Sequence, residues 1–152
     1  MSALKARIAD EMKAALLGRH RFRGDVLRSL KAAILNEEVS LGKRDEGLND
    51  AEVERVVARE VKKRKESAEL YRANGRAELA EPEEQEAAIL QEFLPKQLSE
   101  DEIRAMVEAA VADLGATMRQ MGQVIGAVKA KAGNAADGAL IAKITKETLA
   151  KQ

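Results

Sequence analysis

The sequence predicts an all-α protein in which an N-terminal region of long helices precedes a small C-terminal three-helix bundle. Apolar residues recur at intervals of three and four along most of the 152 residues, which is the period of an amphipathic helix. Aromatic residues make up 2% of the chain, and no segment alternates apolar and polar residues as a strand does. Both observations favour helices over sheets.

Two helices are predicted at the N-terminus. Apolar residues four apart, from Leu4 to Leu16, predict the first helix. The glycines and polar residues from Gly18 to Gly24 predict the turn after it. A second helix then carries apolar residues from Val26 to Ile34, and the charged, glycine-containing residues 42–48 predict a loop.

The next two helices have clear boundary signals. Asn49 and Glu52 have the spacing of a capping box, so the third helix begins there. It ends at Asn74-Gly75, because both residues tolerate left-handed backbone angles. Pro82 is expected in the first turn of the fourth helix, where proline costs no hydrogen bond. Leu94-Pro95 is expected to end that helix.

Three further helices follow. Ser99 and Glu102 form the Ser-x-x-Glu pattern that opens a helix running to Leu114 and closed by Gly115. The next helix is expected to bury apolar residues from Met118 to Val128, and Asp137 is expected to cap the last one. We therefore divide the chain into residues 1–95, an N-terminal helical domain, and residues 96–152, a C-terminal bundle.

The net charge is zero, with 26 basic and 26 acidic residues, but the charges are segregated along the chain. Residues 55–65 contain six basic residues and one glutamate, and residues 78–92 contain six glutamates and no basic residue. Residues 114–152 contain six basic residues and two acidic ones. Basic blocks suit phosphate contacts, although charged helix faces are often only solvated or paired with nearby acids. The glutamates are expected to pair with basic neighbours.

No catalytic, metal or cofactor site is predicted. Without cysteine and with His20 as the single histidine, most zinc sites and Ser-His triads cannot be assembled. No phosphate-binding or dinucleotide fingerprint occurs. No apolar run is long enough to cross a bilayer and the N-terminus does not read as a secretory signal, so we expect a cytoplasmic protein without membrane contact.

Gly122 and Gly126 lie four residues apart, a spacing that would let another backbone approach one side of their helix. Lys129 and Lys131 follow on the same element, before a glycine-containing turn at residues 133–138. Such a turn flanked by lysines can suit phosphate, because small residues expose backbone N–H groups. The scarcity of aromatic residues excludes a nucleic-acid reader that stacks bases on aromatic rings.

Four segments in order resemble the GatB/YqeY family, specifically the stand-alone YqeY-like proteins. They are VLRSLKAAI (26–34), KKRKESAELYRANGRAELAE (62–81), LQEFLPKQLSEDEI (90–103) and MGQVIGAVKAKAGNAADG (121–138). The resemblance covers nearly the whole chain. It implies an all-helical N-terminal region joined to a bundle similar to the C-terminal tail of the B subunit of tRNA-dependent amidotransferases, which holds the tRNA body.

The resemblance implies tRNA as a partner. The tRNA-facing candidates are Lys129 and Lys131, with Gly122 and Gly126 shaping the helix beneath them. Local charge adds Arg119, Lys143 and Lys146. A secondary basic patch comprises Arg55, Arg59, Lys62, Lys63 and Lys65. The turn at residues 133–138 is one residue longer than the usual Gly-x-Ala-Asp-Gly and is uncharged before Asp137.

Three functions remain open. The first is a non-catalytic, translation-associated accessory protein that binds tRNA through shape and phosphate. The second is a helical protein-interaction module, with a protein partner in translation. The third follows the family label: a component with carbon–nitrogen ligase activity that uses glutamine as amido donor, although the kinase-like and amidase parts of such enzymes have no counterpart in this sequence.

Overall fold

A computed structural model describes residues 2–152, which form seven α-helices and no strand, so the all-α prediction is confirmed. The helices are α1 (Ala3–Leu17), α2 (Arg21–Ser40), α3 (Asp50–Ala73), α4 (Ala77–Gln91), α5 (Glu100–Leu114), α6 (Met121–Ala132) and α7 (Gly138–Ala150). Short 3₁₀ turns span Met118–Gln120 and Gly133–Ala135. The chain divides into two compact units, Met1–Leu94 and Pro95–Gln152.

The N-terminal unit is built from α1 to α4, with α3 and α4 packed as an antiparallel hairpin. Its core takes residues from all four helices and from the loop before α3. Fully buried side chains include Ile8, Leu27, Leu30, Ile34, Leu48, Val53, Val57 and Leu90. These residues fall on one stripe of each helix, as the apolar periodicity predicts.

The two boundaries predicted for α3 are confirmed. The side chain of Asn49 accepts a hydrogen bond from the backbone N–H of Glu52, and the side chain of Glu52 accepts one from the N–H of Asn49. This capping box satisfies two donors that the helix leaves free. At the other end, Asn74 caps the helix and Gly75 has a φ of +71°, a left-handed value that glycine adopts without strain.

The predicted turn between the first two helices is too long. Residues 21–24 are helical, because α2 begins at Arg21 and only residues 18–20 form the turn. Gly24 therefore lies inside α2 and is buried. A Cβ atom there would lie 2.5 Å from Cδ2 of Leu16, so glycine allows α1 and α2 to pack closely. The glycine marks this close approach and not a turn.

The predicted boundaries of α4 are also wrong. The helix begins at Ala77, so Pro82 lies in its interior and not in its first turn. Pro82 has no N–H to donate to the carbonyl one turn earlier, but it is exposed, so water can reach the carbonyl it leaves unpaired. The helix ends at Gln91, three residues before Leu94, and Phe93 is buried in the turn that follows.

The C-terminal unit is a bundle of α5, α6 and α7. Ser99 caps α5, Gly115 closes it with a φ of +56°, and Asp137 caps α7, as predicted. The core of this unit comprises Ile103, Val107, Val111, Ala116, Val124, Val128, Ala132, Ile141, Ile144 and Leu149. Thr145 is also fully buried, and its hydroxyl donates to the carbonyl of Ile141 at 2.7 Å.

Two apolar residues of the predicted bundle helices lie at the surface. Leu114 is 48% exposed at the end of α5, and Met118 is 45% exposed. Met118 is exposed because it lies in the 3₁₀ turn Met118–Gln120. Helix α6 therefore begins only at Met121, and the direction of its apolar face shifts relative to the prediction. Residues 121–128 then follow the predicted pattern, with Val124 and Val128 buried.

None of the helices in residues 2–152 combines the length and the apolar character needed to cross a membrane. Over the same residues, the structure contains no group of three histidine or carboxylate side chains placed to hold a metal ion.

Candidate nucleic-acid interface

The charges of the C-terminal unit are separated between its helices. Helix α5 carries five acidic residues and one basic residue, Arg104, which pairs with Asp101 at 3.0 Å. The rest of the unit, residues 95–99 and 115–152, carries seven basic residues and two acidic ones. The bundle therefore has an acidic helix and two helices with an excess of positive charge.

One side of α6 is a row of small residues that ends in a lysine. Gly122, Gly126 and Lys129 are spaced by four and three residues, so they lie on one face of the helix. Arg119 lies in the 3₁₀ turn just before this row. Lys131 is two residues beyond Lys129 and therefore points about 160° away from it around the helix axis. The structure thus separates the two lysines that the sequence analysis grouped.

The two glycines of α6 do not mediate a close contact within the chain, contrary to expectation. Both are exposed, and a Cβ atom at either position would have no neighbour within 4 Å. Glycine in a helix interior costs about 1 kcal/mol relative to alanine. Gly122 and Gly126 therefore lower the stability of α6 and contribute no internal packing in return. They leave a smooth, exposed strip of helix.

Helix α7 carries two further exposed lysines. Lys143 and Lys146 are exposed and three residues apart, so they share the outward face of α7. A short connection makes α7 antiparallel to α6, and Gly138 at its start lies against Lys129, since a Cβ there would be 3.1 Å from Nζ of Lys129. Lys143 and Lys146 are consequently level with Gly126 and Gly122.

The turn at residues 133–138 is less suited to phosphate than its glycines indicate. Asp137 accepts a hydrogen bond from the N–H of Ala139 at 3.3 Å, so a carboxylate already occupies the N-terminus of α7. A second anion there would be repelled. The side chain of Lys129 lies against Gly138 at the end of this turn.

The five candidate cations of the C-terminal unit are solvated. Within the part of the chain that the structure describes, none of them takes part in an ion pair, and all are exposed. They are Arg119, Lys129, Lys131, Lys143 and Lys146. Their charges are available to an external anion at little desolvation cost.

The secondary basic patch on α3 is different, because several of its cations pair with carboxylates. Arg59 contacts Glu37 at 2.9 Å, and Lys63 contacts Glu60 at 3.4 Å. Lys62 also has an interaction partner. Arg55 and Lys65 are exposed on the same helix. Pairing reduces the positive potential of this patch, so it is a weaker anion site than α6 and α7.

The glutamate-rich stretch of α4 pairs with basic residues, as predicted. Glu84 contacts Arg72 at 2.5 Å, and Glu86 contacts Arg64 at 3.1 Å. The hydrogen bond from Arg72 lowers the pKa of Glu84, and that bond raises the pKa of Arg72. These pairs join α3 to α4 and neutralise much of the acidic block.

Sequence reasoning missed the separation of Lys131 from Lys129, although a two-residue spacing on a helix predicts it. It also missed that Lys143 and Lys146 are level with the two glycines along the helix axes. That alignment depends on how α6 and α7 pack, for which neither helix contains a local signal.

The fold and this surface define a helical protein of two compact units, the second of which carries an exposed basic face. The chain belongs to the YqeY-like protein family, whose model matches residues 5–149. No curated protein matches the chain.

Proposed function

We propose that this protein is a tRNA-binding accessory protein of translation, and that its C-terminal unit holds the tRNA body without carrying out chemistry itself. The observation that supports this function best is the contrast between the two units. Basic residues of α3 are largely paired with carboxylates, whereas the cations of α6 and α7 are exposed and unpaired among the described residues. Unpaired cations release counterions from a polynucleotide when they bind it.

The glycine strip supports contact with a nucleic-acid backbone. Gly122 and Gly126 carry no side chain that would keep a ribose-phosphate chain away from the helix, and Lys129 lies at the end of the strip. Lys143 and Lys146 add two exposed cations on the neighbouring helix α7. Such a surface recognises phosphates and shape, because it offers no aromatic platform for bases.

Salt dependence tests the proposal directly. Fluorescently labelled tRNA is titrated with the full chain, and anisotropy gives the association constant at about 50 mM and about 200 mM salt. With about four phosphate contacts, the slope of log K against log salt is about −3, so binding weakens about 50-fold over this range. Absence of binding at the lower salt concentration would refute the proposal.

Charge reversal locates the surface. Lys146→Glu and Lys129→Glu are expected to weaken tRNA binding by about tenfold each and to reduce the salt slope by about one contact. Lys131→Glu is the matched control, since it makes the same charge change on the other side of α6. Equal losses for Lys131→Glu and Lys129→Glu would show that general electrostatics, and not this face, governs binding.

An activity assay distinguishes the proposed tRNA-binding function from that of an amidotransferase component that acts alone. The purified chain is incubated with mischarged Glu-tRNA(Gln), glutamine and ATP, and the amino acid on the tRNA is analysed. We expect no amidation by the chain, because the proposed surface only binds. Amidated product in amounts that depend on the chain would overturn the non-catalytic assignment.

A further inference from the structure

The outer face of α2 is exposed in the N-terminal unit. The core of the unit takes Leu27, Leu30 and Ile34 from one side of this helix. On the opposite side, six residues follow one another at alternating steps of three and four, the spacing at which a helix packs along a second helix. They are Phe22, Asp25, Ser29, Ala32, Asn36 and Val39, here called the α2 seam, and all six are exposed.

The α2 seam carries a large apolar side chain at each end. Phe22 is 44% exposed and Val39 is 57% exposed. Leu35, which is 46% exposed, borders the seam one helical turn from both Ala32 and Val39. Large apolar side chains that share one exposed face indicate a contact surface, whereas isolated ones need no explanation.

The order of residues along the α2 seam makes it complementary to itself when the helix direction is reversed. In an antiparallel pair of α2 helices, with the twofold axis between residues 30 and 31, Phe22 of one copy faces Val39 of the other. Asp25 then faces Asn36, whose amide N–H can donate to the carboxylate. Apolar residues meet apolar ones, and each hydrogen-bond acceptor meets a donor.

The middle of the seam suits the same arrangement. Ser29 of one copy faces Ala32 of the other on both sides of the axis, and side chains this small allow two helices to approach closely. A parallel pair would instead bring Asp25 against Asp25, and the two carboxylates would repel each other. The sequence of the seam therefore favours the antiparallel arrangement.

We infer that the α2 seam is an interface between two copies of this chain, related by a twofold axis with their α2 helices antiparallel. A twofold interface uses the same surface of both copies, so that surface must be complementary to itself. From Phe22 to Val39 the seam is about 26 Å long and about 10 Å wide, or roughly 300 Å² per copy. A stable interface buries about 800 Å² per partner, so this dimer is weak and forms at high protein concentration.

The charges around the seam set the salt dependence of this dimer. The charged residues of α2 in and beside the seam are Arg21, Asp25, Arg28, Lys31 and Glu37. Glu37 is neutralised by Arg59 at 2.9 Å, so three basic residues and one aspartate remain in each copy. The two copies therefore repel each other mildly, and added salt should tighten the dimer by screening. A nucleic acid held by the same cations would be released by salt.

Sedimentation equilibrium of the full chain between about 5 µM and about 500 µM measures the association. We expect a monomer–dimer equilibrium with a Kd of about 100 µM, about twofold tighter at about 200 mM salt than at about 50 mM. Ala32→Arg places a long cation near the axis in both copies and should weaken the dimer at least about tenfold. Ala88→Arg makes the same change at an exposed position of α4 and should leave the Kd unchanged. Both variants should keep the circular dichroism spectrum.

Cysteine cross-linking tests which residues meet, because the chain contains no native cysteine. Phe22→Cys and Val39→Cys, mixed at high concentration under a mild oxidant, should form a disulfide between the two copies. Each variant alone should form none, since in the antiparallel pair each cysteine lies about 26 Å from its equivalent. That separation is far beyond the reach of a disulfide, about 7 Å between Cα atoms.

Four results would overturn the inference. The first is a chain that stays monomeric over the whole concentration range. The second is equal weakening of the dimer by Ala32→Arg and Ala88→Arg. The third is a disulfide dimer in either single-cysteine sample, which would indicate a parallel or unrelated contact. The fourth is a dimer that salt or nuclease treatment dissociates, which would indicate ion pairing elsewhere or an RNA bridge.

Discussion

The carboxylate of Glu38 accepts a hydrogen bond from Nζ of Lys5 at 2.7 Å, and the side chain of Glu38 is 2% exposed. The backbone N–H of Leu48 donates to the same oxygen at 3.1 Å. This buried carboxylate thus connects α1, α2 and the loop that leads into α3. Hydrogen bonds to a charged group are roughly twice as strong as neutral ones, so the contact fixes the loop in place.

Removal of Lys5 tests the strength of this contact. In Lys5→Met, Glu38 would keep one backbone donor but lose its counter-charge while remaining buried. We expect the free energy of unfolding to fall by about 2 kcal/mol, measured by urea titration. Arg28→Met is the control, because Arg28 and Asp25 are both largely exposed and 3.8 Å apart, and should change stability by less than about 0.5 kcal/mol. Similar losses in both variants would contradict this prediction.

The same contact gives the stability a defined pH dependence. Burial by itself would raise the pKa of Glu38, but the hydrogen bonds from Lys5 and Leu48 outweigh burial and lower that pKa. A carboxyl group with a lowered pKa stabilises the fold above its unfolded pKa of about 4.3, and this contribution is lost as the pH falls through the folded value. Urea midpoints should therefore fall more steeply on acidification in the native protein than in Glu38→Gln. Parallel acid profiles would show that other carboxylates are responsible.

Glu38 also shows which contacts can be predicted from the sequence and which cannot. The caps at Asn49 and Ser99 involve residues three apart, so local spacing predicts them. The partner of Glu38 is 33 residues away, and its burial follows from packing that no local pattern specifies. Gly24 illustrates the same limit, since the close approach of Leu16 that requires it is a tertiary contact.

The candidate nucleic-acid interface also combines features that the sequence predicts with features that only the structure shows. Residue spacing alone predicts the strip of Gly122, Gly126 and Lys129 on α6, and the opposite position of Lys131. The exposure of both glycines and the packing of α7 against α6 required the structure.

The cap of α5 provides a third prediction, which concerns the C-terminal unit. The hydroxyl of Ser99 accepts a hydrogen bond from the N–H of Glu102 at 3.1 Å. Ser99→Ala should lower stability by about 1 kcal/mol, because that N–H loses its partner. Hydrogen exchange followed by mass spectrometry should show faster exchange in α5, α6 and α7 only. Asn49→Ala is the matched variant for α1 to α4, and loss of protection throughout the chain in either variant would contradict the prediction.

The close contact between α1 and α2 provides a fourth prediction. In Gly24→Ala the new methyl group would lie 2.5 Å from Cδ2 and 2.9 Å from Cγ of Leu16, so Leu16 and the backbone around it must shift. We expect a net loss of about 1 kcal/mol, since the overpacking exceeds the gain in helix propensity. Thermal unfolding measures the change. A higher unfolding temperature would show that Leu16 moves aside at little cost.

Alanine at the exposed glycines of α6 should have the opposite effect on stability. Gly122→Ala and Gly126→Ala place a methyl group in open solvent, with no atom within 4 Å to resist it. Each should stabilise the C-terminal unit by up to about 1 kcal/mol, because alanine restricts the unfolded chain and favours the helix. Urea unfolding of the single and double variants measures the gain.

The same variants should bind tRNA more weakly if the glycine strip contacts its backbone. We expect the double variant to lose about fivefold to tenfold in affinity at low salt while its salt slope stays unchanged, because the cations remain in place. Lys146→Glu should instead change both affinity and slope. A stabilised double variant with undiminished tRNA affinity would show that the strip lies outside the binding surface.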